Sequence, residues 1–333
     1  MTSGFYRNTK GITSYMGRLT YCAHLCDVYN ENYVYSKFGF GKEKRYRISG
    51  KTMHGWAQED YRCGVEMLVG STHFLLDKSL LLIVHRADQE ALLREKGFYN
   101  SFAIGSPFIY VPKPNTSSRS GFLVMSQHGI DQKTLGTFSL ARYVKSVIDS
   151  GYEAKSLTVV IHNNDMQNES MVAAVKQLGV KITIGARGLD GSLFLRLAEL
   201  FSTSEGVITN AYGSHIPYAH YFGCPVNFIG PFFREEWENM CHLPGFGTVY
   251  TKEQWLEDSK VTTVEFLEKR YPFLFEKPSR AFPLWASDQL GESQKKTPEE
   301  LGKIFGWNWF NDFKYYSRKF AAKCYKSCLG ENN

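Results

Sequence analysis

The chain has 333 residues, enough for roughly two domains. Its 43% hydrophobic and 22% charged residues can bury an ordinary core, which excludes a disordered chain. A net charge of +6 falls well short of a histone-like balance, so no nucleic-acid partner is expected. Residues 1–50 carry +5 and residues 307–333 carry +3, leaving a body near neutrality between two basic ends. Aromatics are abundant, with 24 Phe, 20 Tyr and 6 Trp.

The first 50 residues are rich in Tyr and Gly and show no strong periodicity before Arg45. Leu80–Val84 (LLLIV) reads as a buried strand, followed by a helix over ADQEALLREKG that stops at Gly97. FAIGSPFIYVP reads as a further strand-like run. A polar break, KPNTSSRSG over 113–121, is the best linker candidate. Beyond it the alternation is regular. Strands are predicted over 121–126, 157–162, 180–185, 206–210 and 225–231, with helices over 140–151, 169–179, 192–204 and 214–223 between them. Five strands separated by four helices predict a Rossmann-like domain. Further helices are predicted around VEFLEKRY and from Thr297, where Thr, Pro and Glu form a start signal. The expected class is α/β, with domains over 1–115 and 116–290 and a C-terminal segment over 291–333.

Seven scattered cysteines are poor evidence for disulfides, and none lies at zinc spacing with a partner, so no metal site is expected. The opening residues lack a signal peptide's apolar core, and no apolar run reaches a membrane span. A reduced, cytoplasmic protein is the expectation. Dinucleotide-binding, P-loop, nucleophile-elbow and H-E-x-x-H signatures are all missing, which disfavours NAD enzymes, NTPases, serine hydrolases and zincins.

In open α/β sheets ligands sit at the carboxyl ends of the strands. Three loops meet that rule. The first runs from Thr209 and Asn210 through Gly213, Ser214 and His215; Ser214 is expected to cap the next helix, whose first-turn amides suit an anion such as phosphate. The second holds Ser126 and His128 after strand GFLVM, candidates for a phosphate or a sugar. The third, His54 to Asp60, offers an imidazole, the Glu59 and Asp60 carboxylates and Trp56 to stack on a sugar; His54, Glu59 and Asp60 are the candidate catalytic groups. Arg187 is a candidate to neutralise a donor phosphate, with His162–Asp165 and Gly105–Ser106 as minor sites. Each loop also reads as an ordinary polar turn.

The HGW triplet, AIGSPFIY, TNAYGSHIPYAHYFGCPVNFIGP and the closing KTPEELGKIFGW together resemble GT-B glycosyltransferases of bacterial surface-polysaccharide (LPS or capsule) assembly, most nearly the Kdo/sialyltransferase-like group. The resemblance spans about residues 45–310 and is strongest over 200–231. It implies two Rossmann-like domains facing across a cleft, a nucleotide-sugar donor held mainly by the second domain, no metal or other cofactor, and a glycan or lipid-linked acceptor. The sequence lacks the His-Pro dipeptide of sialyltransferases, which leaves CMP and UDP both open as the donor nucleotide. A sugar-nucleotide epimerase of the same fold and a non-catalytic nucleotide- or glycan-binding protein are the competing readings. At the C-terminus, Trp309, Phe313, Phe320, Cys324 and Cys328 recur at helical steps, with Lys314, Arg318, Lys319, Lys323 and Lys326 supplying charge. That pattern resembles an interfacial amphipathic helix on an anionic membrane surface. A helix packed back on the first domain is the alternative.

Overall fold

The computed structural model describes residues 34–39, 51–53, 55–56, 78–115, 118–127, 139–185, 192–234, 236–241 and 251–306. Two parallel sheets organise them. The first is short, with strands β1 (Lys51–Thr52), β2 (Leu82–Val84) and β3 (Ser101–Ala103) in that order. The second has five strands, β4 (Phe122–Val124), β5 (Leu157–Ile161), β6 (Lys181–Ile184), β7 (Gly206–Thr209) and β8 (Val226–Phe228), in the order β6-β5-β4-β7-β8.

Between the strands run helices that the sequence signals well. Helix α1 (Ala87–Glu95) follows β2, α2 (Leu140–Asp149) follows β4, α3 (Glu169–Lys176) follows β5, α4 (Leu193–Thr203) follows β6 and α5 (His215–Tyr221) follows β7. Ser139 caps α2 by accepting from Arg142 N, and Asn168 caps α3 by accepting from Met171 N. In β5 the Leu157, Val159 and Ile161 side chains are buried while Thr158 and Val160 are half-buried, the period of two that a strand imposes. Helix α2 buries Leu140, Tyr143, Val144 and Val147, the three- and four-residue steps of one helix face.

The run FAIGSPFIYVP departs from the strand expected of it. Only Ser101–Ala103 is strand, and Pro107–Tyr110 forms a 3-10 turn. Ser106 causes the switch: it is fully buried, and its Oγ accepts from Phe108 N at the start of that turn. Its own N–H donates to Leu290 O at 2.8 Å, so the Gly105–Ser106 pair is committed to structure.

Phe108 joins the two sheets. It stacks on Tyr218 with ring centroids 4.1 Å apart and meets Phe194, Phe201 and Phe222 edge-on or tilted. Around it one apolar cluster contains Ile83 and Ile104 together with Leu123, Leu197 and Val207. The rings use edge-to-face and offset geometries that add to the burial of their area.

After β8 the chain forms α6 (Lys252–Ser259), α7 (Val264–Arg270), α8 (Pro283–Gln289) and α9 (Pro298–Ile304). Helix α9 has the expected start: Thr297 accepts from Glu300 N, and Glu300 accepts from Thr297 N in return. Between α8 and α9 the chain crosses the carboxyl end of the first sheet. Gly291 there has φ +68°, and a Cβ on it would lie 2.0 Å from His85 O, so only glycine fits. Lys295 Nζ donates to Ile109 O, and Lys296 N donates to the Tyr110 hydroxyl. None of the helices among the described residues is long and apolar enough to cross a membrane. The basic aromatic stretch 307–333 lies outside the described residues.

Within the polar break at 113–121, Arg119 has an anchoring task that the composition does not reveal. Its Nη1 donates to Phe201 O (2.6 Å) and Ser204 O (2.9 Å), and its Nη2 donates to Phe222 O (2.6 Å). These carbonyls end α4 and α5, where a helix leaves acceptors unfilled and its dipole favours a cation. Arg119→Ala is expected to lower unfolding free energy by about 1–2 kcal/mol, and Arg119→Lys to recover only part of it because an ammonium cannot fork between two helices. Urea denaturation of the three proteins measures this.

Candidate functional site

The strand order places the first strand of the second sheet, β4, between β5 and β7. Connections therefore leave β4 in opposite directions, and the crevice of such a fold opens outside the carboxyl ends of β4 and β7. Ser126 follows β4 and Asn210 follows β7. The structure joins them: Ser126 Oγ donates to Asn210 Oδ1 at 2.8 Å, across the reversal point.

Asn210 is fully buried and satisfied in three directions. Its Nδ2 donates to Pro231 O at 3.1 Å, and its main-chain O accepts from Phe233 N at 2.8 Å. The loops leaving β4, β7 and β8 are thus held by one residue. Ser126 is half-buried and stands at the rim.

Thr209, also fully buried, holds the next part of the loop. Its Oγ1 accepts from Ala211 N (3.2 Å), donates to Ala211 O (3.3 Å) and lies 2.9 Å from His215 Nε2. The Thr209 hydroxyl and His215 Nε2 share one proton, and which of them donates follows the imidazole tautomer. The ring reaches Thr209 by folding back over Gly213. A Cβ on Gly213 would stand 2.8 Å from His215 Nδ1, so glycine is required there for space.

The expected cap by Ser214 is not formed. A capping serine needs an extended backbone to turn its hydroxyl toward the second or third amide. Ser214 already has helical angles, φ −61° and ψ −23°, and makes no side-chain cap bond. The expected anion cradle is reduced as well. Ile216 N is spent on Gly213 O, Tyr218 N on Ser214 O, and Pro217 has no N–H. What the loop presents is the half-buried His215 imidazole, with Ser214 beside it.

Trp56 differs from its expected role. It is only 4% exposed and stacks on Tyr212, ring centroids 5.0 Å apart and planes 17° from parallel. Its Nε1 donates to Gln289 Oε1, and its carbonyl accepts from the Tyr212 hydroxyl. No face is left for a sugar. Instead, Trp56 connects the exit of β1 to the loop carrying Gly213–His215. Sequence reasoning placed Thr209 and Tyr212 in this loop but not as its supports, and it did not find the Pro231 carbonyl, whose contact with Asn210 spans 21 residues.

Of the other predicted residues, His54, Glu59, Asp60, His128 and Arg187 lie outside the described residues. His162 precedes a short helix, Asn163–Met166, and its carbonyl accepts from Asp165 N and Met166 N. Among the described residues no group of three side chains is arranged to hold a metal ion.

No protein-family model and no curated protein sequence matches the chain. Among solved structures, it is similar to a UDP co-structure of MnaA from S. aureus, at 16% identity over 45% of this chain and 42% of that one, with a TM-score of 0.30. It is also similar to a mutant of S. aureus TarM in complex with Fondaparinux, alpha-GlcNAc-glycerol and UDP, at 10% identity over 74% of this chain and 50% of that one, with a TM-score of 0.31. The chain spans half or less of the length of both.

Behind the site, His220 on α5 is fully buried against Phe282 and Trp285. Its Nδ1 accepts from Phe282 N at 3.3 Å, which puts the proton on Nε2. Burial holds the imidazole neutral, pushing its pKa down from 6.5 to about 3. The unfolded chain takes up this proton as pH falls below 6.5, whereas the folded chain does not until near pH 3, so stability is full above pH 6.5 and declines across that window. In His220→Gln the slope of stability against pH between 6.5 and 4 is expected to be shallower than in the natural protein, as followed by urea midpoints at each pH.

Proposed function

We propose that the protein is a glycosyltransferase that moves a sugar from a nucleotide-sugar donor to a glycan or lipid-linked acceptor. The observation that carries this reading is the Ser126–Asn210 hydrogen bond across the β4/β7 reversal point, with Gly213–His215 on the same loop. A nucleotide needs hydrogen-bonding partners for its nucleoside and a proton-donating partner for its phosphate. The crevice pairs a serine hydroxyl with an imidazole within one strand exit of each other. The sequence resemblance to GT-B enzymes supports the same assignment and the facing of two α/β domains across a cleft.

In this reading Ser126, Asn210, Gly213, Ser214 and His215, with His128 and Arg187, form the donor site. His215 stands beside the phosphate. The acceptor hydroxyl attacks the anomeric carbon, the bond from that carbon to the donor phosphate breaks, and the nucleotide leaves with the electron pair. A base removes the acceptor's proton, and His54, Glu59 and Asp60 are the candidates. Charge on the leaving phosphate is met by basic and polar side chains, so the reaction is proposed to run without a metal. The donor carries CMP or UDP. The acceptor belongs to bacterial surface-polysaccharide assembly, LPS or capsule, on the cytoplasmic face of the plasma membrane, where the basic 307–333 segment rests on anionic lipid.

Incubated with CMP- and UDP-linked sugars and candidate acceptors, the protein is expected to release free nucleotide only when an acceptor is present. Tight nucleotide binding without release would favour a binding protein, and a changed donor sugar without an acceptor would favour an epimerase. His215→Ala is expected to weaken nucleotide binding about tenfold; unchanged affinity would remove His215 from the donor site. In flotation with phosphatidylserine-containing liposomes, the full chain is expected to float and a chain ending at residue 306 to stay behind, with equal flotation dismissing the membrane role.

A further inference from the structure

We infer that Ser126 is a hydrogen-bond acceptor in the crevice and reads a hydroxyl or N–H group of the ligand, leaving the phosphate to the His215 side. The inference rests on the proposed donor site and specifies what one side of it recognises.

The direction of the hydrogen bonds follows from one group that has no choice. The Pro231 carbonyl can only accept. Asn210 must therefore turn its amide nitrogen toward it, as the 3.1 Å Nδ2 to O contact shows. A flipped amide would set two carbonyl oxygens against each other inside a fully buried side chain's environment, at the cost of a lost buried hydrogen bond. With the nitrogen fixed, Asn210 presents only Oδ1 to Ser126. An amide oxygen cannot donate, so the 2.8 Å contact requires the serine's own proton.

That commits the one proton Ser126 has. The lone pairs on Oγ remain, and Ser126 is half-buried at the end of β4, where the crevice opens. A group that meets those lone pairs must bring a proton. Hydroxyls of a ribose or a sugar do so, as do the N–H groups of a base. A phosphate oxygen brings none at neutral pH, and its negative charge is repelled by an acceptor. For Ser126 to serve a phosphate it would first have to abandon Asn210, leaving a buried amide oxygen unsatisfied. The crevice is therefore polarised, with an acceptor on the β4 side and an imidazole on the β7 side.

Titration calorimetry of the full chain with UDP, CMP, UDP-glucose, CMP-sialate and inorganic pyrophosphate tests this. Ser126→Ala is expected to weaken the tighter of the two nucleotides, or its sugar conjugate, about fivefold, while pyrophosphate affinity stays within twofold. A loss seen already with the free nucleotide places the donor group on the nucleoside; a loss confined to the conjugate places it on the sugar. Ser126→Thr, which keeps the hydroxyl, is expected to restore most of the affinity, and unchanged pyrophosphate binding shows that the loop is intact. Equal losses for nucleotide and pyrophosphate would overturn the inference, as would no loss for any ligand that the natural protein binds. If the natural protein binds none of the nucleotides or conjugates, the donor-site reading fails and this inference falls with it.

Discussion

Asn210 has a fully buried amide, and an amide in that position must find both a donor and an acceptor or cost the fold about 1–3 kcal/mol for each group left unmade. It finds Pro231 O on one side and the Ser126 hydroxyl on the other, and its main chain takes the Phe233 amide. Two of these contacts reach the exit of β8 and the third the exit of β4, while Asn210 itself stands at the exit of β7. The three loops that shape the crevice are consequently positioned by the same residue, and none can move alone without breaking a bond to a fully buried residue. The relative placement of Ser126 and His215 depends on this arrangement, because His215 hangs from Thr209, one residue before Asn210.

The aromatic excess of the sequence explains how so short a helix as α5 is kept in place. Seven residues would not hold a helical conformation by themselves. Opposite sides of α5 carry Tyr218, stacked on Phe108, and His220, set between Phe282 and Trp285. Trp285 in turn meets Trp56, Tyr271 and Phe273 edge-on or nearly so. At the far end Tyr221 donates to Glu292 Oε1, while Lys113 lies 4.1 Å from the Tyr221 ring centroid. Residues from the turn after β3, the polar break and the C-terminal segment therefore all grip one helix. Glu292 is held below the usual carboxylate range, its burial outweighed by the hydrogen bonds from Ser287 and Tyr221 and by the lysines nearby.

Much of this was legible in the residues and some of it was not. Strands such as LTVVI and helices such as LARYVKSVID announce themselves because a half-buried element must alternate its side chains at its own period. The cap at Thr297 could be read from the sequence because local chemistry settles it. Ser214 could not, because whether a serine caps depends on its backbone angles, and the folding of His215 over Gly213 fixed those angles through a contact with Thr209. Trp56 read as an exposed sugar platform because its partners, Tyr212 and Gln289, lie more than 150 residues away. Arg119 read as linker for a similar reason: the carbonyls it fills are 82 to 103 positions distant. The strand order, which decides where the crevice opens, is another property of distant pairing that no local pattern contains.

These long-range contacts bear on recognition as well as on stability. A binding loop assembled only when a ligand arrives loses affinity to the ordering of its side chains. Here the ordering is already done by groups that face away from the crevice: Thr209 behind His215, Asn210 behind Ser126, and the stacked Trp56 behind Tyr212. The groups facing the crevice then differ in what they can offer, because the support behind Ser126 has settled where its proton goes. A serine backed by an amide oxygen becomes an acceptor, and an imidazole whose Nε2 meets a threonine hydroxyl is held with Nδ1 beside Gly213. Selectivity at such a site arises one layer below the surface that touches the ligand, in residues whose polarity is set by a carbonyl that can only accept.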